Sequence, residues 1–257
     1  SVTSHEHSLP IDGTGLVMLE RLIRDHSDLG HCLLKGNLKR PIQNESRAGK
    51  TDRIGYSNLL VLDIDGITLP GHTNPKVFTS KCVGTLAKTV LRELPPQVQD
   101  CSFIAQASAS LGLKGDKVSL HIFMLLKHAM PAKAVKLWLQ AANFESNLFS
   151  SQLELSSNGH SLKHTLDVSV ADNSKLIFIA PPTFEDGTHD PFSSPAERIV
   201  RVSGLSDTLD LAGLMNNISP EVVHQKSNEH KNRLRVARGF SAKKERLTIA
   251  TVDNKSE

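Results

Sequence analysis

A chain of 257 residues suits one large domain or two small ones. Its 39% hydrophobic and 22% charged residues are ordinary for a protein that buries a core, which excludes disorder as the main state. Thirty basic residues against 27 acidic ones leave a net charge of +3, too mild a total to define a nucleic-acid partner, for which clustering counts more. The longest apolar runs, such as residues 122–126, fall far short of the roughly 20 residues that span a bilayer. No membrane partner is expected. No basic-led apolar leader opens the chain, which starts on Ser1 as a processed one would. Cys32, Cys82 and Cys101 show no CxxC spacing, so neither a disulfide framework nor a zinc ribbon is indicated, and reduced thiols in the cytoplasm are expected.

In chain order, Thr14 is placed to cap a helix on which Leu16, Leu19, Leu22 and Ile23 recur at helical spacing, with Gly30 as its stop. Residues 31–34 read as a short strand. Residues 36–55 read as a loop, and loops of that length are usually functional or disordered. The stretch from Lys35 to Arg53 holds six basic residues (Lys35, Lys39, Arg40, Arg47, Lys50, Arg53) against Glu45 and Asp52. Residues 58–65 form a strand of buried type. Asn74 and Pro75 read as the cap and first turn of a helix on which Phe78, Cys82, Leu86 and Val90 recur up to Pro95-Pro96.

Residues 101–108 and 118–126 are two further strands about a Gly-containing turn. Pro131 then opens a helix with Val135, Trp138, Leu139 and Ala142 on one side. Residues 165–170 and 176–180 read as a strand pair joined by Asp172-Asn173-Ser174, and residues 197–202 as a last strand. Hairpins mixed with helices predict an α+β fold rather than a doubly wound parallel sheet. A main domain over 1–205 is expected. Residues 206–257, with nine basic against four acidic residues from Lys226 onward, read as a basic helical or linker tail leading to a further domain.

Three strands carry the chemistry. Side chains at i and i+2 of a strand share a face, so Asp63 and Asp65 project together while Leu60, Leu62 and Ile64 face the other way. Two adjacent carboxylates in an apolar strand repel and resist burial unless a positive charge lies between them. A hard divalent ion such as Mg²⁺ meets that need. The plainer alternative is a turn beginning at Asp65-Gly66, which suits Asp65 better than Asp63. Ser119 and His121 share a face in the same way. With Lys117 alongside and Gln106, Ser108 and Ser110 upstream, they make a set of donors for phosphate oxygens, although a lone strand histidine is more often a core residue. Asp167 adds a carboxylate in a third apolar segment, with a strand-end cap as the competing role. Together these groups suit a two-metal nucleotidyl-transfer site.

Asp63-Ile64-Asp65, Ser119-Leu120-His121 and Leu166-Asp167 resemble, in order and strand context, the three motifs of the archaeo-eukaryotic primase superfamily. Lys175-Leu176-Ile177 and Pro181-Pro182 are similar to its primase-polymerase clade from phages and mobile elements. The likeness spans roughly residues 30–200. It implies an RRM-like antiparallel catalytic sheet with a smaller N-terminal α/β module. It also implies that Asp63, Asp65 and Asp167 hold Mg²⁺ or Mn²⁺, and that His121 and Ser119, with Lys117, Ser108, Ser110 and Lys175, hold the incoming NTP or dNTP. The basic loop (Lys39, Arg40, Arg47, Lys50) would lie near DNA template and primer. A helicase partner, and the cytoplasm of a bacterial or phage-infected cell, would follow. The cysteine-rich zinc element of some relatives is missing, and so is any helicase motif.

Two other classes compete. Leu62-Asp63-Ile64-Asp65-Gly66 also resembles the first motif of haloacid-dehalogenase-type phosphatases, but the later acidic motif fails, with Leu120 where the second Asp should follow Gly115-Asp116. A non-catalytic DNA-binding module would use the basic loop and tail. Aromatic residues are scarce at 4%, which disfavours a base-stacking platform. Gly49-Lys50-Thr51 does not complete a phosphate-binding loop, since Asn44 occupies the upstream glycine position.

Overall fold

The computed structural model describes residues 1–240; the end of the basic tail, 241–257, lies outside the described residues. The helices are α1 (Gly13–Asp28), α2 (Ser80–Leu91), α3 (Pro96–Gln99), α4 (Ala132–Glu145), α5 (Asn147–Ser151), α6 (Leu211–Leu214) and α7 (Pro220–Ala237). The strands are β1 (Cys32–Leu34), β2 (Tyr56–Thr68), β3 (Phe103–Ala107), β4 (Lys117–Pro131), β5 (Glu154–Leu155), β6 (Leu162–Lys163), β7 (Leu176–Phe178) and β8 (Ile199–Val202). The fold is α+β, with antiparallel ladders throughout its sheets. No helix among the described residues is long and apolar enough to cross a membrane.

The main sheet has the order β2-β4-β3-β8. Alternation sorts its side chains: Leu60, Leu62 and Ile64 are fully buried on one face, while Asp63, His121, Gln106 and Ile199 lie in register across the other. Helix α2 packs on the first face, with Gly84 against Val200 and Val202. Helix α1 lies on the second, where Glu20 accepts from Arg201 at 3.0 Å and Arg24 donates to the Ile199 carbonyl at 2.7 Å. Leu16, Leu19 and Ile23 of α1 join the same core as the sheet, so the N-terminal elements share one interior with the rest.

Several expectations are corrected. Helix α1 is capped by Asp12, which accepts from Gly15 N–H at 3.0 Å, and not by Thr14. A Cβ at Gly15 would sit 1.7 Å from the Pro10 carbonyl oxygen, so the entry fits only glycine. Helix α2 starts at a Thr79 cap. Asn74 is spent holding the Gly115 carbonyl, and Phe78 is drawn into a bridge with Phe192 that buries it completely. Residues 165–170 and 176–180 are not a strand pair. Strand β7 pairs with β1 instead, and Asp167 caps a 3-10 turn over Val168–Ala171.

The segment after 205 is also more than a tail. Ser206 and Leu209 bridge to Cys101 and Leu126, and Leu209 and Leu211 are buried in the main core. Helix α7 follows with Ser219 as cap and Pro220 in its first turn, where proline's missing N–H costs nothing.

Asn143, in the last turn of α4, is fully buried. Its amide donates to the Leu166 carbonyl at 3.0 Å and accepts from Leu166 N–H at 2.9 Å, as well as donating to Leu139 O at 2.8 Å. These bonds fasten the segment before Asp167 to the helix. Asn143→Ala leaves two buried backbone groups without partners and should lower stability by about 2–3 kcal/mol. Urea denaturation followed by circular dichroism reads this, and an unchanged midpoint would refute the role.

Candidate active site

The edge of β2 gathers the acidic residues. Asp167 N–H donates to the Asp63 carbonyl at 2.9 Å, next to a bridge between Ile64 and Leu166, so the chain carrying Asp167 runs along the free side of β2. Asp63 pairs in register with His121 on β4, and His121 with Gln106 on β3. Between Ile64 and Ile67 the ladder slips, leaving Asp65 and Gly66 opposite Ser119. Gly66 there has φ +75°, the left-handed conformation that bulges give to glycine. The bulge turns Asp65 outward, toward Lys163 Nζ at 3.8 Å.

Asp63, at 21% side-chain exposure, sits in a poor environment for charge. Burial, and then the negative charges of Asp167 and Asp65, push its carboxyl up to about 6, against the pull of Lys175. Asp167 goes the other way. Burial would raise it, but the Ser169 hydroxyl at 2.6 Å, the Ser169 N–H at 2.8 Å and Lys175 at 3.5 Å hold it below the usual carboxylate range. His121 is held down at about 4 by burial and by Lys175, opposed by Asp65. It is therefore a neutral imidazole, and its 3.6 Å approach to Asp63 is not an ion pair.

Gln106 decides the His121 tautomer. The Gln106 amide donates to the Ile179 carbonyl at 2.7 Å, which leaves its oxygen facing His121 Nδ1 at 3.3 Å. Nδ1 then carries the proton, and Nε2 faces the carboxylates.

Of the expected residues, Asp63, Asp65, Asp167, His121 and Lys175 come together. Ser119 does not join them as a phosphate donor: it is 2% exposed, and its Oγ accepts from Gly66 N–H at 2.9 Å. It holds the bulge instead. Ser108 and Ser110 lie in the turn after β3, where Ser108 N–H donates to Ser119 O at 3.1 Å, and Lys117 is exposed at the start of β4.

The basic loop is stapled beside this group. Arg47 donates to the Ser174 carbonyl at 2.8 Å, and Asn173 donates to Gly55 O at 2.7 Å. Arg40 and Lys50 both pair with Glu45, and Lys39 reaches Gly49 O at 3.3 Å. Lys35 leaves the basic cluster altogether: at 4% exposure it donates to Ala171 O at 3.2 Å, and burial lowers it to about 8 against the pull of Asp172.

Asn143, Ser169 and Lys163 are site-shaping residues that sequence reasoning missed. Only Ser169, in an Asp-x-Ser cap pattern after Leu166, carried a local signal.

Among the described residues, no three or more His, Cys, Asp or Glu side chains are gathered as around one ion. Asp65 leans to Lys163, and Asp167 to Ser169 and Lys175. The donor chemistry nevertheless fits a hard divalent cation: Asp167 and Asp65 lie near enough to Asp63 to oppose its ionisation, and Asp63 lacks positive charge to offset them. Comparison of the chain with protein families, curated proteins and solved structures finds no match.

Two outcomes follow for stability. A carboxyl raised from 3.8 to about 6 holds its proton better in the folded state, so its stabilisation is complete below about pH 4 and lost as pH rises through 6. With divalent ions chelated, Asp63→Asn should stabilise the protein by about 1–3 kcal/mol at about pH 7.5, with little gain at about pH 4. Denaturant midpoints at the two pH values decide it, and equal gains at both would refute the crowding. His164 shows the opposite dependence. Burial lowers it from 6.5 to about 4, with Asp167 opposing and Lys136 assisting, so stability is full above 6.5 and falls as the unfolded chain takes up the proton. Between about pH 6.5 and 5 its contribution to the loss should be about 2 kcal/mol, so the acid slope should be shallower by that amount in His164→Leu, where His121 still contributes. The same acid slope in both proteins would refute it.

Proposed function

We propose that this chain is the catalytic domain of a primase-polymerase, joining NTPs or dNTPs on a DNA template with Mg²⁺ or Mn²⁺ in the cytoplasm of its cell. The observation that carries the reading is that a backbone bond holds Asp167 against Asp63 from a distant segment, within electrostatic reach of Asp65 and Lys175 and beside His121. The β-α-β-β-α order of β2, α2, β3, β4 and α4, closed by the Leu166–Asp167 segment on the free side of β2, supports the RRM-like expectation, with β8 an added strand beside β3 at the other edge. A haloacid-dehalogenase-type phosphatase would place Asp63 on a parallel sheet, whereas β2 runs antiparallel to β4.

Asp63, Asp65 and Asp167 would hold the ions. When bound, the ions lower the pKa of the attacking 3′ hydroxyl and neutralise charge on the departing pyrophosphate. The chain's own groups do the rest. Lys175, fixed by Ser169 at 2.9 Å, supplies a cation beside the acidic group for the triphosphate. His121, oriented by Gln106, turns Nε2 to the same space. Phosphate oxygens there favour the doubly protonated imidazole, which can donate from Nε2. The loop held to residues 173 and 174 puts Arg47, Lys50, Lys39 and Arg40 where template or primer phosphates would approach.

Primer extension and de novo synthesis, each with Mg²⁺ and Mn²⁺, test the reading. Asp63→Ala and Asp167→Ala should each lower the rate by about 100-fold or more. His121→Ala should weaken nucleotide binding more than DNA binding. Lys39→Ala and Lys50→Ala should each reduce the salt dependence of DNA binding by about one unit of slope. An inactive wild type, or full activity in the aspartate variants, would sink the assignment.

A further inference from the structure

Away from the acidic site, the densest gathering of metal-ligating side chains lies at the C-terminal end of α1. His26 is in the last turn of the helix and His31 just before β1, and the N-terminal arm brings His5 and His7 onto them. Ring centroids are 5.5 Å apart for His5 and His26, 5.1 Å for His5 and His31, 5.1 Å for His26 and His31, and 5.2 Å for His7 and His26. His26 Nε2 is 3.0 Å from His7 Nε2, and His26 Nδ1 is 2.8 Å from His31 Nδ1.

Those spacings have a chemical meaning. Metal–nitrogen bonds of about 2.0–2.1 Å at tetrahedral angles set two ligating nitrogens about 3.3 Å apart and their ring centroids about 5 Å apart. His5, His26 and His31 are already at that separation from one another, and His7 is at it from His26. His26 is held below the usual histidine range, chiefly by burial and then by His31, His7 and His5, against Asp25. The rings do not yet surround one point, because His26 meets His7 and His31 through different nitrogens. Binding therefore involves ring rotation, which is least hindered for the exposed His5 and His7.

We propose that His5, His7, His26 and His31 form a site for a late first-row divalent ion such as Zn²⁺ or Ni²⁺. Imidazole donors select that class over the hard ions suited to the aspartates. The same arm reaches the basic loop, where Val2 N–H donates to Glu45 O at 2.9 Å and Ser4 N–H to Ile42 O at 2.8 Å. An ion on the histidines would therefore fasten residues 42–45 to α1 through the arm. The inference stands apart from nucleotidyl transfer.

Equilibrium dialysis of the full chain against Zn²⁺ alone, in chelator-free buffer, tests it. One ion per chain should be retained, with a Kd of about 1 μM or tighter. His5→Ala combined with His7→Ala lies on the exposed arm and should leave the circular dichroism unchanged while weakening binding at least about 30-fold. His26→Gln should weaken it as much, and His128→Ala on β4 should leave it intact. X-ray absorption of the retained Zn²⁺ should show imidazole nitrogen ligands. No retained ion, an ion that survives loss of His5 and His7, or an oxygen-only shell would overturn the proposal.

Discussion

Asp63 stands on the edge strand of the main sheet among apolar neighbours, with Asp65 and Asp167 near enough to oppose its ionisation. Much of the local architecture keeps those three groups together despite that repulsion. The backbone bond from Asp167 to Asp63 and the Ile64–Leu166 bridge set the distance. Asn143 anchors the same segment from α4, and Ser169 and Lys175 make ionised Asp167 tolerable. Removing water from a cluster of like charges is destabilising unless compensating groups are supplied. Here the compensation falls on Asp167 and leaves Asp63 under-compensated, which is the condition a cation relieves.

The bulge at Gly66 divides labour within one short motif. With it, Asp63 remains half-buried and Asp65 is 61% exposed toward Lys163. Ser119 is what the bulge rests on, so a serine two residues before a site histidine acts here through the backbone. The fold thus uses a hydroxyl to shape a carboxylate.

The strands that build the site were legible because alternation is strong in them: β2 and β4 carry polar residues at positions that an apolar strand would otherwise fill. Asp167 stands out in the sequence as a carboxylate, but it caps a 3-10 turn rather than continuing a strand. Its side chain takes the Ser169 N–H and hydroxyl for itself, and that local bonding outcompetes the strand. The β1–β7 ladder joins residues far apart in sequence and leaves no periodic signature in either short segment. Asn143 looks like any polar residue on a helix until Leu166 arrives beside it. Lys35 belongs to the basic cluster by charge alone, and burial, which a charge count does not register, removes it from the surface. The segment after 205 enters the core through Leu209 and Leu211, too few apolar positions to show a period.

The Asp167 segment also has a role unrelated to chemistry. On its side away from β4, β2 presents backbone donors and acceptors to whatever lies alongside, and an uncovered strand of that length invites pairing with another chain. Residues 166 and 167 occupy part of that side with one bridge and one hydrogen bond. The stretch that supplies an aspartate to the site therefore also shields the sheet from self-association, so damage to its anchorage would appear as aggregation as well as lost function.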